Sequence, residues 1–241
     1  MSSTVLAVFV VAPTAAVVIA LFMTLWHESD STRQSYVAII SGIVLAVWAV
    51  AAAILAYRGY LRPPEAQSVP PIGIVLGIVL VGILLALLLS RSLRSLLTNQ
   101  RNIIWLNVWR LEGILFLILM AQGQMPALWA LPAGIGDIIV GVSAPWIGMA
   151  VNTASGRRRA IFFNLFGLLD LIVAVGLGIT TNPGRLHVFH TNPTSELITG
   201  FPLALVPAFL VPLAFTLHIV SLWQLVGGSW SSSVKRFRTA T

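Results

Sequence analysis

Five ionisable side chains stand where an apolar environment is expected. Arg110 and Glu112 interrupt one apolar run, and Asp137, Asp170 and His218 interrupt three later ones. Carboxyl, guanidinium and imidazole groups in a water-poor setting can hold a proton, bind a cation or activate water. Two amides, Asn107 and Asn164, lie in the same stretch, and Gly134, Gly136 and Gly141 flank Asp137. Small residues around an acid let another helix or a ligand come close.

The elements that carry these groups read as membrane spans. The chain has 241 residues, 58% hydrophobic and only 9% charged, against roughly 25% charged in a soluble domain. Seven apolar runs, about 4–26, 35–57, 72–90, 103–122, 127–151, 160–180 and 200–225, are long enough to cross a bilayer. The expected fold is an all-α integral membrane protein, a single transmembrane domain over 1–241 built as a seven-helix bundle. The first run lacks a basic leader and a small-residue cleavage site, so it reads as a retained span.

Charge placement orients the bundle. The loops after spans 1, 3, 5 and 7 hold Arg33, then Arg91, Arg94 and Arg101, then Arg157, Arg158 and Arg159, then Lys235, Arg236 and Arg238. The other side holds Arg58, Arg62 and Arg185. The positive-inside rule puts the N-terminus outside and the C-terminus in the cytoplasm, as in a bacterial-type cytoplasmic membrane. The net charge of +7 is thereby explained by orientation, with no nucleic acid implied.

Each buried charge costs ~2.5–3.5 kcal/mol at a helix centre, so four on lipid-facing surfaces would cost on the order of 10 kcal/mol. They must face the bundle interior. One arginine faces three acids, so full ionisation leaves two negative charges uncompensated. A proton, a cation or water must reside there, with His218 as a possible further positive group.

Helical spacing assigns partners. Arg110 and Glu112 are two apart and point to different faces. Asn107, Arg110 and Gly113 share one face; Glu112 shares another with Trp105, Trp109 and Phe116. Arg110 is expected to pair with Asp137 or Asp170 on a neighbouring helix, and Glu112 to face a second cavity or the inner boundary. Gly134, Asp137, Gly141 and Gly148 form a stripe of small residues, and Asn164 and Gly167 share a face, with Asp170 three beyond Gly167.

Spans 1 to 3 read as scaffold. Gly73 and Gly77 have a spacing that allows close helix approach, and glycine-rich spans allow a homo-oligomer. The outside segment from Arg62-Pro63-Pro64 to Pro70-Pro71 reads as extended. His27, Glu28 and Asp30 read as solvated loop residues. Pro202, Pro207 and Pro212 should kink span 7 and free carbonyls to line a cavity, with His218, Ser221 and Gln224 following toward the cytoplasm. The loop at about 181–199, with Asn182-Pro183 and Asn192-Pro193, is expected to cover the outer mouth. His187 and His190 in it lack a neighbouring carboxylate and are a poor metal pair.

Three functions are compatible. The favoured one is proton- or ion-coupled transport of a small solute, with Asp137 and Asp170 as proton or cation sites, Arg110 as balancing charge and His218 as an inner relay. In the second, Gly134-Ile135-Gly136-Asp137 resembles the Gly-x-Gly-Asp motif of intramembrane aspartyl proteases of the presenilin and prepilin-peptidase type. That resemblance implies a hydrolase whose Asp137 and Asp170 share a proton and activate water. In those proteases the partner aspartate precedes the motif; Asp170 follows it. The third is a non-enzymatic sensor or assembly protein. Partners are the bilayer and a small solute, cation or proton.

No cofactor or metal is expected. Cysteine is absent, which removes thiol catalysis and Cys-held zinc. The only lysine is Lys235 in the tail, so a retinal Schiff base in the last span is excluded. A single histidine inside a span does not suit paired-histidine haem or a seven-span zinc hydrolase.

Overall fold

The computed structural model describes residues 3–63 and 70–227. The expectations for Pro64 to the residue before Pro70, and for Lys235, Arg236 and Arg238, fall outside the described residues. Those described are helical without strands. Seven helices are long and apolar enough to cross a membrane. They run α1 (Ser3–His27), α2 (Thr32–Tyr57), α3 (Pro71–Leu89), a composite fourth span, α7 (Ala127–Ala150), α8 (Ala154–Thr180) and a last span ending in α9 (Val211–Val226). The fourth comprises α5 (Gln100–Trp105), a 3₁₀ segment (Leu106–Gly113) and α6 (Ile114–Ala121); the short α4 (Arg91–Leu96) precedes it.

One end of the bundle is rich in arginine and in helix caps. Ser31, Ser90, Asn99 and Thr153 start α2, α4, α5 and α8, each accepting a backbone N–H two or three residues into its helix. Arg94 Nη1 donates to the Leu87 and Leu88 carbonyls, both at 2.6 Å, and Arg157 donates to Leu225 from Nε at 2.9 Å and Nη2 at 2.5 Å. Cations thus satisfy the last carbonyls of α3 and α9, where the helix dipole is negative. The Thr153 cap starts α8 at Ala154, six residues before the expected span, so Arg157, Arg158 and Arg159 sit on its first turns and not in a loop. Glu28, expected to be merely solvated, accepts a hydrogen bond from Asn99 Nδ2 at 3.0 Å.

α7 is the centre of the packing. It lies against the 3₁₀ segment, α8, α6 and α5, while α8 and α3 each pack on α9. α1, α2 and α3 lie outside this group with much of their apolar surface exposed, including Ile40, Val44 and Val47 of α2. Gly77 is not at a helix contact: a methyl placed there would meet nothing within 4 Å. Among the described residues no helix therefore packs on Gly77, and its partner in the spacing, Gly73, lines a cavity described below.

The last span also departs from expectation. Its regular part begins at Val206, not near residue 200. A 3₁₀ turn (Ser195–Thr199), turns through residue 204 and a π-helical turn (Val206–Leu210) precede α9. Three prolines spaced by five residues cannot sustain an α-helical ladder. The carbonyls are not left open as expected: Leu203 accepts from the Val206 N–H at 3.0 Å, and Ala204 from the Ala208 N–H at 3.0 Å.

Candidate functional site

The 3₁₀ segment positions the first two groups. With three residues per turn, side chains at i and i+3 eclipse. Asn107, Arg110 and Gly113 therefore align in one row, which faces α7. Glycines on both sides allow the contact. A methyl on Gly113 would stand 2.7 Å from the Gly134 carbonyl oxygen, and one on Gly134 would stand 2.8 Å from that of Gly113. At Gly141 a methyl would lie 2.6 Å from the Leu111 nitrogen. The span 5 stripe thus admits the backbone of span 4 and brings Arg110 level with Asp137.

Arg110 is fully buried. Its Nε donates to Asp137 Oδ1 at 2.6 Å, and its Nη2 forms a second ion pair with Asp170 Oδ2. Both acids are engaged, where the helical spacing offered one or the other. Nε and Nη2 lie on one edge of a planar fork with near-parallel N–H bonds, so two carboxyl groups from α7 and α8 are held side by side. Asp170 reaches this place because Gly136 leaves its volume empty: the Asp170 carboxyl lies in the space a methyl on Gly136 would fill.

The third edge of the guanidinium meets His218. Arginine only donates, so Nη1 donates to His218 Nε2 at 3.1 Å. His218 Nδ1 then donates to Asn164 Oδ1 at 2.9 Å, which assigns a neutral Nδ1–H ring. The ring lies against Gly167, where a methyl would collide with it, and near Phe163 at a centroid distance of 5.4 Å.

From His218 a polar column runs to the arginine-rich end. Asn164 Nδ2 donates to Ser221 Oγ at 2.8 Å; Ser221 donates to Gln100 Oε1 at 2.7 Å; Gln100 Nε2 donates to Gln224 Oε1 at 2.6 Å; Gln224 Nε2 donates to the Leu97 carbonyl. Every donor points the same way. The column ties α5, α8 and α9 together, buried at Asn164 and Ser221 and half-buried at Gln100 and Gln224. It is not a proton wire, because side-chain amides do not exchange protons readily at neutral pH. His218 is likewise given to Arg110 and Asn164, which leaves it no free lone pair to serve as an inner relay. Gln100 was not anticipated, since the fourth span was expected to begin at residue 103; its amide type on the face shared with Ile103, Ile104 and Asn107 was the available signal.

On the opposite side of the cluster lies a narrow apolar cavity of about 60 Å³, partly open. Phe116, Trp129, Leu171, Val175, Ile198 and Val211 contribute walls, and Asp137 is the only charged residue among the described ones that line it. Ile72, Gly73 and Leu76 of α3 complete it, so span 3 lines the site instead of serving only as scaffold. The segment expected to cover the outer mouth does border it: Ile198 and Asn182 belong to its walls, and Ser195 Oγ donates to the Gly178 carbonyl at 2.9 Å.

Glu112 stands apart. It is buried, and neither carboxyl oxygen has a hydrogen-bond partner among the described residues; the same holds for Asn107 Oδ1 and Trp109 Nε1. Glu112 and Trp109 are eclipsed on a second 3₁₀ face, outside the Arg110 row but within electrostatic reach of Asp137. His187 and His190 stack edge to face at 4.9 Å, but no group of three or more metal-ligating side chains occurs among the described residues.

A family model described as "Domain of unknown function (DUF8737)" matches residues 69–226, well over half of the chain. The chain belongs to this family. Comparison with curated proteins and with solved structures finds no match. The DUF8737 match includes α3 to α9 and therefore every residue of the cluster, the polar column and the cavity; α1 and α2 precede it.

Proposed function

We propose that the chain is inserted in a bacterial-type cytoplasmic membrane with its arginine-rich end in the cytoplasm, and that it carries a small solute coupled to a proton or cation bound at Arg110, Asp137 and Asp170. The supporting observation is the position of Arg110: one guanidinium gripping two adjacent carboxyl groups, at the floor of an apolar cavity on one side and, through His218, at the head of a hydrogen-bonded polar column on the other. One cation against two acids carries an excess negative charge that a low-dielectric interior does not tolerate. A proton or cation entering from the cavity relieves it and weakens one of the two ion pairs. Arg110 then changes its grip, and with it the packing of α7 and α8. Passage to the cytoplasm requires the column at Asn164, Ser221 and Gln100 to part, which makes it the inner gate.

A hydrolytic use of Asp137 and Asp170 requires the two carboxyl groups to hold a water between them. Both instead direct an oxygen to Arg110, which favours transport.

The test is proteoliposome uptake under an imposed pH gradient, with an internal pH dye and a panel of radiolabelled small solutes. A solute that accumulates with wild type and simultaneously discharges the gradient is the expected result, with Asp137→Asn and Asp170→Asn each inactive. Equal dye and uptake traces for wild type and both variants would reject the reading.

A further inference from the structure

The cavity between α3 and α8 has an uncommitted acceptor at its floor and an uncommitted side-chain amide, that of Asn182, at its far end. At the floor, Asp137 commits Oδ1 to Arg110, while Oδ2 accepts no hydrogen bond among the described residues. At the far end, Asn182 is buried with its Oδ1 unpartnered. Trp129, the wall's indole, already donates Nε1 to the Ala174 carbonyl at 2.8 Å. Buried polar atoms are ordinarily satisfied. The uncommitted oxygen of Asp137 thus selects a ligand whose polar head donates there, and disfavours a head that brings acceptors and negative charge, such as a carboxylate or a phosphate.

Charge and shape narrow the class further. The guanidinium meets two carboxyl groups, so one additional positive charge makes the site neutral. Phe116 and Trp129, with ring centroids 4.8 Å apart, stand in the wall and suit a cation or its alkyl neighbour. The rest of the wall is aliphatic. α3 and α8 flank the space without packing along each other, since each packs on α9 and α8 also on α7. From Leu171 to Asn182 the cavity follows α8 for roughly 16 Å at 1.5 Å per residue, a fit for a slender chain.

We infer that this cavity is a binding site for a lipophilic primary ammonium, its head on Asp137 Oδ2 and its apolar chain along Phe116, Trp129 and Leu171. This deepens the transport reading by naming its substrate class, and rests on that reading only for what binding accomplishes. A proton and the ammonium would compete for the same excess negative charge, which predicts exchange of one for the other.

The experiment uses the full chain in lipid nanodiscs and radiolabelled decylammonium, with decanol, decyltrimethylammonium and decanoate as chain-matched competitors. Decylammonium should bind saturably, and each competitor should displace it at least tenfold less well. Ala174→Phe, which fills the cavity and leaves all three ion-cluster residues in place, should abolish binding, and Asp137→Asn should weaken it at least tenfold. Equal displacement by decanol or decanoate, or saturable binding that survives Ala174→Phe, overturns the assignment; the second outcome keeps the test decisive even if Asp137→Asn does not fold. Decylammonium that binds with the expected selectivity but neither accumulates nor discharges a pH gradient would reject transport while leaving the ligand class standing. A panel solute that is transported without decylammonium selectivity would do the reverse.

Discussion

The carboxyl group of Asp170 occupies the space where any residue larger than glycine at position 136 would carry its side chain. Two adjacent helices, α7 and α8, are thereby close enough for their acids to share one arginine. Gly136→Ala must push Asp170 away and pull it from Arg110. Overpacking of this kind costs about 1–3 kcal/mol. The expected result is a lower thermal midpoint in detergent together with lost uptake. Gly77→Ala is the matched control, since nothing lies within 4 Å of its added methyl; it should leave the midpoint unchanged or raise it slightly. Equal effects at both positions would mean that the Asp170 contact is not what Gly136 is for.

Arg110 should be far more costly to remove alone than with its acids. Losing one member of a buried ion pair costs about 3–5 kcal/mol, because the partners remain as uncompensated charges. Arg110→Gln is therefore expected to be the most destabilising single change in the cluster. The triple variant Arg110→Gln, Asp137→Asn, Asp170→Asn should recover much of that loss, a coupling that independent sites do not show. Thermal unfolding of wild type, Arg110→Gln, the double variant Asp137→Asn with Asp170→Asn, and the triple variant measures it; additive losses would contradict a shared cluster.

The composition of this cluster was legible in the sequence, and its geometry was not. Arg110, Asp137 and Asp170 stood out because a charge in an apolar run has few tolerable positions, all facing inward. Their joint grip follows from Gly113 against Gly134 and Gly136 against Asp170. The stripe through Gly134 marks a face open to close approach, but which helix comes there, and that Asp170 fills the space at Gly136, are pairwise contacts that the periodicity of neither helix names. The 3₁₀ winding of Leu106–Gly113 is of the same origin: local propensity does not demand it, whereas the row Asn107, Arg110 and Gly113 can face α7 only if it is straight. The share of α3 in the cavity left no mark in the sequence because α3 is apolar all round, so its inner face carries no distinguishing residue.

His218 should tolerate a replacement that keeps its two roles. It accepts from Arg110 on one side and donates to Asn164 on the other. Glutamine can do both through one amide, and leucine neither. His218→Leu should destabilise by about 1–3 kcal/mol, the cost of stranding buried partners, and His218→Gln by less. If His218 instead worked by gaining and losing a proton, both variants would be equally inactive in uptake while differing in stability, so stability and uptake measured together separate the two roles.

Glu112 is the group for which stability and function should part company. Both its oxygens are buried without a partner, and replacing such a group by a neutral one of similar shape is neutral or stabilising. Glu112→Gln should therefore match or exceed the wild-type thermal midpoint, whereas Asp137→Asn should lower it. A carboxyl retained in the bilayer interior without a counter-charge is most cheaply kept as the neutral acid. The acid form is the one that adds to a hydrophobic carbodiimide. Treatment of membranes with such a reagent, followed by peptide mass spectrometry, should label Glu112 in preference to Asp137 and Asp170, whose oxygens are directed at Arg110. Labelling of the two aspartates in preference to Glu112, or a Glu112→Gln protein less stable than wild type, would mean that Glu112 is ionised and held by a bound cation.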